Sequence, residues 1–280
     1  MSCCYNERGT KDRVIKIGEP DKPGCRRDFS ATAGLCYGSR FIEDLIMKIK
    51  GYFLKLESDA FPVSGQKLTL EDLPVEVLKL LDGYRFKKLR HSAPGVPLMQ
   101  SLGAGLLLQY GLRKWSDEEK GLQQVTMKEV LDFLEQFETP LSVAYEKNGD
   151  GKPDFAKNSQ NLHFSLSHSG SYCFCVLGDC TLGVDLQCRG IVPERLVEKY
   201  FSQKEKERYA ACSFEEEKAD CFFDMWVRKE AYGKLTGIGI ARSVSVDTTD
   251  SLPPVQSGKI KWAMHGKTSD FYYAVCCLEK

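Results

Sequence analysis

The chain has little of what membrane-bound and nucleic-acid-binding proteins need. Lys and Arg together number 39 among 280 residues, and Asp and Glu also number 39, so the formal net charge is zero. Broad binding to nucleic acids or membrane surfaces requires an excess of basic charge. No apolar run approaches the roughly 20 residues of a membrane span, and the first residues lack the apolar core of a signal peptide. We therefore expect a cytoplasmic protein with no nucleic-acid or membrane partner.

Metal-binding cysteine spacing is also missing. The twelve cysteines include two adjacent pairs, Cys3–Cys4 and Cys276–Cys277, while Cys173 and Cys175 lie in an apolar stretch. None of these repeats the paired C-x2-C spacing of a zinc site. Cysteine in an apolar strand behaves as a small hydrophobic residue. We predict reduced and mostly buried thiols.

The composition divides the chain into a leader and two halves. Residues 1–46 are rich in basic residues, Gly and Pro, with little periodicity, which predicts a disordered or loosely attached leader. The first half, residues 47–160, opens with an alternating strand that ends at Leu56. Apolar stripes at helical spacing then predict three helices, over residues 69–81, 98–112 and 126–137.

The second half, residues 161–280, opens with apolar residues at a period of two. Three such runs, joined by hairpin-length turns, predict a three-stranded meander over residues 162–187. Helices that start with capping boxes at Ser202 and Ser213 follow. Two strands then close the chain, over residues 259–264 and 271–278.

Three residues of this second half carry the candidate chemistry. Asp185 lies in a predicted strand and alternates away from its apolar neighbours, and Glu230 and Lys234 are one helical turn apart. Their ordinary interpretation is an exposed strand carboxylate and a solvated helix ion pair worth about 0.3–0.5 kcal/mol. Aromatic residues beside Glu230 indicate a partly buried helix face, where a carboxylate needs a partner.

These residue types together predict phosphoryl-type chemistry on a small anionic ligand. Mg²⁺ takes one or two protein carboxylates with phosphate oxygens and waters, and Asp185 and Glu230 fit that number. Lys234 offers a point charge to a phosphate, and Glu230 can accept a proton from an attacking hydroxyl. His168 is either a strand-end residue or a phosphate donor. Gly151–Pro153 is either an ordinary loop or one that brings backbone and a cation to the ligand.

In their order along the chain, these motifs resemble the Sfp-type 4′-phosphopantetheinyl transferases. The family pattern is a GKP loop, a strand ending in SHS, then G-[VI]-D-x-E, then W-x-x-K-E-A-x-x-K. The chain carries Gly151–Pro153, Ser167–Ser169, Gly183–Gln187 and Trp226–Lys234. The last two motifs are specific together. The resemblance covers residues 47–280 and excludes the leader.

The resemblance implies a fold of two similar α+β halves packed as a pseudo-dimer, with the site between them, in a monomeric protein. It implies Mg²⁺-dependent transfer of 4′-phosphopantetheine from coenzyme A to a serine of an apo acyl or peptidyl carrier protein, with release of 3′,5′-ADP. Fatty-acid, polyketide and nonribosomal-peptide carriers all remain open.

The resemblance also implies roles for individual residues. Asp185 and Glu230 are expected to bind the metal, with Gln187 as a third candidate ligand. Glu230 is the candidate base, and Asp185 and Lys234 complete the catalytic set. The residues expected to bind coenzyme A are Gly151, Lys152, Pro153, Ser167, His168 and Lys234.

The chain departs from the family pattern at two places. Gln187 replaces the third acidic residue, which leaves one negative charge fewer at the metal site. Where many members carry an arginine for coenzyme A, the chain has Leu98–Gln100, and Arg90 and His91 are the candidates to replace that arginine.

Two alternatives to the transferase remain open. The first is a weakened relative that binds coenzyme A or a carrier protein without efficient transfer. The second is a different Mg²⁺-dependent phosphotransferase or nucleotide hydrolase, which the lack of a P-loop disfavours.

Overall fold

The structure is a computed structural model that describes residues 36–37, 47–56, 68–147, 152–156, 161–243, 245–249 and 252–279. Within these ranges the strands are β1 (Cys36–Tyr37), β2 (Ile49–Lys55), β3 (Gly121–Val125), β4 (Tyr145–Lys147), β5 (Pro153–Phe155), β6 (His163–Ser169), β7 (Tyr172–Gly178), β8 (Leu182–Cys188), β9 (Ile260–Lys267) and β10 (Phe271–Leu278). The helices are α1 (Val75–Leu78), α2 (Gly83–Arg90), α3 (Val96–Arg113), α4 (Met127–Leu134), α5 (Glu194–Tyr200), α6 (Gln203–Ala210), α7 (Glu215–Thr236) and α8 (Gly239–Arg242).

The described strands form two four-stranded sheets and one small hairpin. The first sheet has the order β3-β2-β7-β6, the second has the order β1-β9-β10-β8, and β4 pairs with β5. The long helix α3 packs on β7 of the first sheet, and the long helix α7 packs on β8 and β10 of the second. The predicted α+β class is confirmed, and each sheet carries one long helix.

An aromatic core joins the two sheets. The ring of Phe53 on β2 stacks on Phe174 of β7 with centroids 4.2 Å apart, and it lies 5.1 Å from Tyr273 of β10. These residues belong to one buried apolar cluster with members from both sheets. Because the two sheets share this core, their edge strands β6 and β8 lie beside each other.

The predicted meander is wrong in its last strand. β6 and β7 form a hairpin, but β8 lies at the edge of the second sheet. The physical reason is that β7 has only two edges, and β2 and β6 occupy both. The chain therefore changes sheets between β7 and β8, whereas the predicted boundary between the halves follows residue 160.

The predicted helix over residues 69–81 is broken. A 3₁₀ turn at Leu70–Asp72 and the short helix α1 flank Pro74, which has no N–H for a continuous helix. The helices predicted at 98–112 and 126–137 are present as α3 and α4. The side chain of Thr126 caps α4 by accepting from the Glu129 N–H, as a capping box predicts.

Three findings concern the predicted leader, the cysteines and a possible membrane span. Of the predicted leader, the structure describes Cys36–Tyr37, which pair with β9; the rest lies outside the described residues. The cysteines in the described part, from Cys173 to Cys277, are free thiols. Among the helices of the described ranges, none has the length and apolar character needed to cross a membrane.

Candidate functional site

The backbone of α7 lies directly on β8, and a glycine makes this possible. A Cβ on Gly183 would stand 2.1 Å from the Ala231 carbonyl oxygen and 2.5 Å from the Leu235 nitrogen. Any side chain at this position would push the helix away from the strand. The close approach brings Glu230 and Lys234 of α7 beside Asp185 of β8.

Asp185 is buried and paired. Its side chain is 8% exposed, and its Oδ1 accepts hydrogen bonds from Lys234 Nζ at 2.7 Å and from Ser167 Oγ at 2.7 Å. The Lys234 ammonium also donates to Ser167 Oγ at 3.0 Å. Asp185 is therefore not an ordinary exposed strand carboxylate. Lys234 of α7 forms an ion pair with it on β8.

Glu230 lies close enough to Asp185 for their charges to interact. Burial raises the pKa of Glu230, the negative charge of Asp185 raises it further, and the positive charge of Lys234 lowers it. Asp185 is buried and Glu230 is partly buried, and a divalent cation stabilises two such carboxylates that repel each other. This donor set fits Mg²⁺ that takes its remaining ligands from phosphate oxygens and waters. No group of three or more His, Cys, Asp or Glu suited to a metal occurs in the described ranges.

Gln187 stands two residues beyond Asp185 on β8. Successive residues of a strand alternate between faces, so both side chains project from the same face. Tyr272 of β10 lies opposite Gln187 in the sheet. A metal-ligand role for Gln187 stays a prediction.

A cavity of about 390 Å³ opens beside the acidic pair. Basic residues from three elements line it: Arg85 and Lys88 of α2, Lys152 just before β5, and Lys234 of α7. The described residues that line it include no Asp or Glu. Its volume is within the range of small-molecule sites, and its charge favours an anion.

Arg85 gives the clearest indication of a missing ligand. The residue is 5% exposed, and neither its Nε nor its Nη2 has a hydrogen-bond partner among the described residues. The rings of Tyr84, Tyr145 and Phe164 surround the guanidinium with centroids 5.4 to 5.7 Å away. Buried donors of a charged group are costly when unpaired. An anion in the cavity would supply their acceptors.

The start of α2 holds Arg85 in place. Asp82 caps the helix and accepts from the Tyr84 and Arg85 N–H groups, both at 3.0 Å. The same buried carboxylate accepts from the Tyr145 hydroxyl at 2.8 Å. The cap therefore fixes both the helix and one of the rings against the guanidinium.

Two further cavity residues have shifted ionisation. Burial lowers the pKa of Lys152 to about 8; Asp154 opposes this shift, and Lys234 adds to it. Lys152 Nζ donates to the Leu182 carbonyl at 2.6 Å. Burial and the charge of Lys234 also lower the pKa of His168.

The structure places most predicted ligand-binding residues at one site. Lys152, Pro153, His168 and Lys234 line the cavity, whereas Gly151 lies outside the described residues. The hydroxyl of Ser167 contacts Asp185 and Lys234 instead of the cavity.

The candidates for the missing arginine, Arg90 and His91, are exposed and do not line the cavity. Arg85 and Lys88 line it instead, and the sequence-based interpretation missed them. Their signal was available: Asp82 is a helix-capping residue type, and a spacing of three places both basic residues on one helix face.

The comparisons with known proteins agree with this geometry. Residues 181–277 match the model of the 4′-phosphopantetheinyl transferase superfamily. The chain is 32% identical over 112 residues to the 4′-phosphopantetheinyl transferase psf-1 of Bacillus pumilus, covering 40% of this chain and 47% of the relative. It is 30% identical over 129 residues to the 4′-phosphopantetheinyl transferase HetI of a Nostoc species, covering 44% of this chain and 53% of the relative.

A eukaryotic relative is also similar. The L-aminoadipate-semialdehyde dehydrogenase-phosphopantetheinyl transferase of Eremothecium gossypii is 28% identical over 131 residues, which cover 44% of this chain and 46% of the relative. The chain thus spans about half the length of the curated relatives that it matches. The predicted resemblance to the Sfp-type family is confirmed.

Proposed function

We propose that this chain, which resembles the 4′-phosphopantetheinyl transferases over residues 181–277, transfers 4′-phosphopantetheine from coenzyme A to a serine of an apo carrier protein. One observation carries the proposal: Lys234 lines the basic cavity and also bonds Asp185 of the acidic pair. Coenzyme A has a phosphorylated nucleotide at one end and a diphosphate next to it. A ligand with its nucleotide in the cavity would bring the diphosphate to the carboxylates.

The basic residues supply the binding of the nucleotide end. Arg85 offers two unpaired nitrogen donors, and its fork geometry suits phosphate oxygens. Lys88 and Lys152 add point charges from the neighbouring walls of the cavity. Binding here holds the leaving group of the reaction, 3′,5′-ADP.

The acidic pair supplies the chemistry. The carrier serine oxygen forms a bond to the phosphorus that carries the pantetheine arm, and the bond from that phosphorus to 3′,5′-ADP breaks. Glu230 can accept the serine proton at its carboxylate, and its raised pKa improves it as a base. Lys234 holds a phosphate oxygen by charge. Asp185 and Glu230 would hold Mg²⁺, which offsets the charge of the diphosphate when bound.

We propose a monomeric cytoplasmic enzyme whose second substrate is an acyl or peptidyl carrier protein. Fatty-acid, polyketide and nonribosomal-peptide carriers are all candidates. The described cysteines are free thiols, which agrees with a reducing compartment.

The test is direct transfer to a panel of carriers. The purified chain is incubated with coenzyme A, Mg²⁺ and each apo carrier protein, and the intact carrier is weighed by mass spectrometry. A gain equal to one phosphopantetheine arm that vanishes with EDTA supports the proposal, and the relative rates rank the carriers. Coenzyme A binding without a gain on any carrier would favour the weakened binding protein instead.

A further inference from the structure

Strands β6 and β8 lie side by side without joining their sheets. Each is at the end of its own sheet order, with β7 as the partner of β6 and β10 as the partner of β8. The edges nevertheless make extensive contact. Something other than a backbone ladder must connect them.

Three alternating serines of β6 make this connection. Ser165 Oγ accepts from the Val184 N–H at 3.3 Å, and Ser169 Oγ accepts from the Cys188 N–H at 3.0 Å. The middle serine differs from these two. Ser167 Oγ donates to the Asp185 carboxylate at 2.7 Å, so this contact reaches a side chain of the acidic pair.

The Ser167 hydroxyl is used in both directions. It donates to Asp185 Oδ1 and accepts from Lys234 Nζ at 3.0 Å, which exhausts the single donor of a serine hydroxyl. Lys234 Nζ also donates directly to Asp185 Oδ1 at 2.7 Å. Three atoms from β6, β8 and α7 thus form a closed triangle of hydrogen bonds.

We propose that Ser167 is a positioning residue that orients Asp185 and Lys234 from the first sheet. This inference rests on the proposed function, because it concerns the metal ligand Asp185. The Ser167 hydroxyl fixes the rotation of the Asp185 carboxylate about its side-chain bonds. The positions of the residues proposed to bind metal and phosphate therefore depend on a residue from the opposite sheet.

The experiment measures metal binding apart from catalysis. Free Mn²⁺ is counted by electron paramagnetic resonance while it is titrated into the wild type, Ser167→Ala, Ser167→Thr and Ser169→Ala, with and without coenzyme A. Ser169→Ala is the matched control. It also removes a serine hydroxyl from β6, but that hydroxyl contacts a backbone N–H instead of Asp185. Coenzyme A binding in EDTA is measured separately by calorimetry, and thermal melting monitors the fold.

We expect Ser167→Ala to weaken Mn²⁺ binding about tenfold, as loss of a ligand-orienting hydrogen bond usually does. Ser167→Thr keeps the hydroxyl and should restore binding, and Ser169→Ala should leave it unchanged. In the transfer assay, Ser167→Ala should lower kcat and leave the KM for coenzyme A unchanged. If the alanine variant fails to fold, Ser167→Cys keeps the volume with a poor hydrogen-bonding group and should give the same loss.

Other outcomes overturn the inference. Equal Mn²⁺ binding by Ser167→Ala and Ser169→Ala would remove the positioning role. Weaker coenzyme A binding in EDTA with intact Mn²⁺ binding would mean that the hydroxyl contacts coenzyme A. A wild type that binds no Mn²⁺ would overturn both the metal site and this inference. A wild type that binds Mn²⁺ but transfers nothing would overturn the proposed transfer alone.

Discussion

The two halves of the molecule bring opposite charges to the same cavity. Arg85, Lys88 and Lys152, from the first half, line it with positive charge. The second half places Asp185 and Glu230 together beside it, with Lys234 between the two groups. Under the proposed function, the difference assigns nucleotide binding mainly to the first half and metal binding to the second. Mutations should therefore separate the two.

The largest expected effect is the loss of chemistry without loss of binding. Glu230→Gln and Asp185→Asn keep side-chain size but remove the negative charges that would hold Mg²⁺, and the first also removes the base. We expect transfer to fall by at least about 10²–10⁴-fold, the usual contribution of general acid–base catalysis. Transfer is measured by carrier mass, and coenzyme A binding by calorimetry in EDTA.

Burial also predicts how these variants affect stability. Because the pKa of Glu230 is raised in the fold, its negative charge destabilises the folded state at pH values above that pKa. In EDTA, Glu230→Gln should therefore melt no lower than the wild type at neutral pH. Any such advantage should vanish below the ordinary pKa of glutamate. Near-normal turnover by either folded variant would contradict the acidic-pair assignment.

The reverse separation is expected at Arg85. Arg85→Met removes the buried guanidinium and its unpaired donors, so coenzyme A should bind about 10–100-fold more weakly, the usual worth of one or two charged hydrogen bonds. The kcat at saturating coenzyme A should change little. Arg90→Met, on the exposed end of the same helix, is the matched control. Equal affinity in both variants would place the nucleotide elsewhere.

A smaller effect is expected from pH. Burial lowers the pKa of Lys152 to about 8, so the ammonium loses its charge as the pH rises through that value. Coenzyme A affinity should therefore fall on going from neutral to alkaline pH. Lys152→Arg stays charged over this range and should flatten the profile. A wild-type profile that the Arg variant reproduces would argue against a Lys152–phosphate contact.

The smallest expected effect is at Gln187. Gln187→Glu restores a hard anionic ligand two residues from Asp185 and should lower the Mg²⁺ concentration needed for half-maximal transfer. Gln187→Ala is a useful companion, because it removes the amide without adding charge. An unchanged midpoint in the Glu variant would place residue 187 outside the metal coordination sphere.

Sequence patterns predicted the helices and strands better than they predicted which strands pair with each other. The apolar residues of α3 and α4 are local signals, and both helices are present. The helix predicted at residues 69–81 is interrupted at Pro74, which has no N–H to donate. The prediction missed this interruption because it used only the spacing of apolar residues. The meander was wrong because strand periodicity does not say which neighbour a strand will pair with.

The candidate site divides in the same way. Asp185, Glu230 and Lys234 lie in compact motifs, so spacing alone brought them to attention. Arg85 and Lys88 lie in α2, a helix without the apolar stripe that would have predicted it from the sequence. The bond from Ser167 to Asp185 joins residues of two different sheets, and strand alternation cannot predict such a contact.

By itself, the sequence determined the α+β class, the long helices and the acidic and basic residues available for phosphate chemistry. These follow from periodicity, capping and residue type, which act over a few neighbouring residues. Only the tertiary structure decided that Lys234 bonds Asp185, that Arg85 completes the cavity and that serines of β6 hold β8. Those contacts depend on the shared aromatic core and on the close packing of α7 at Gly183, which join residues distant in the chain.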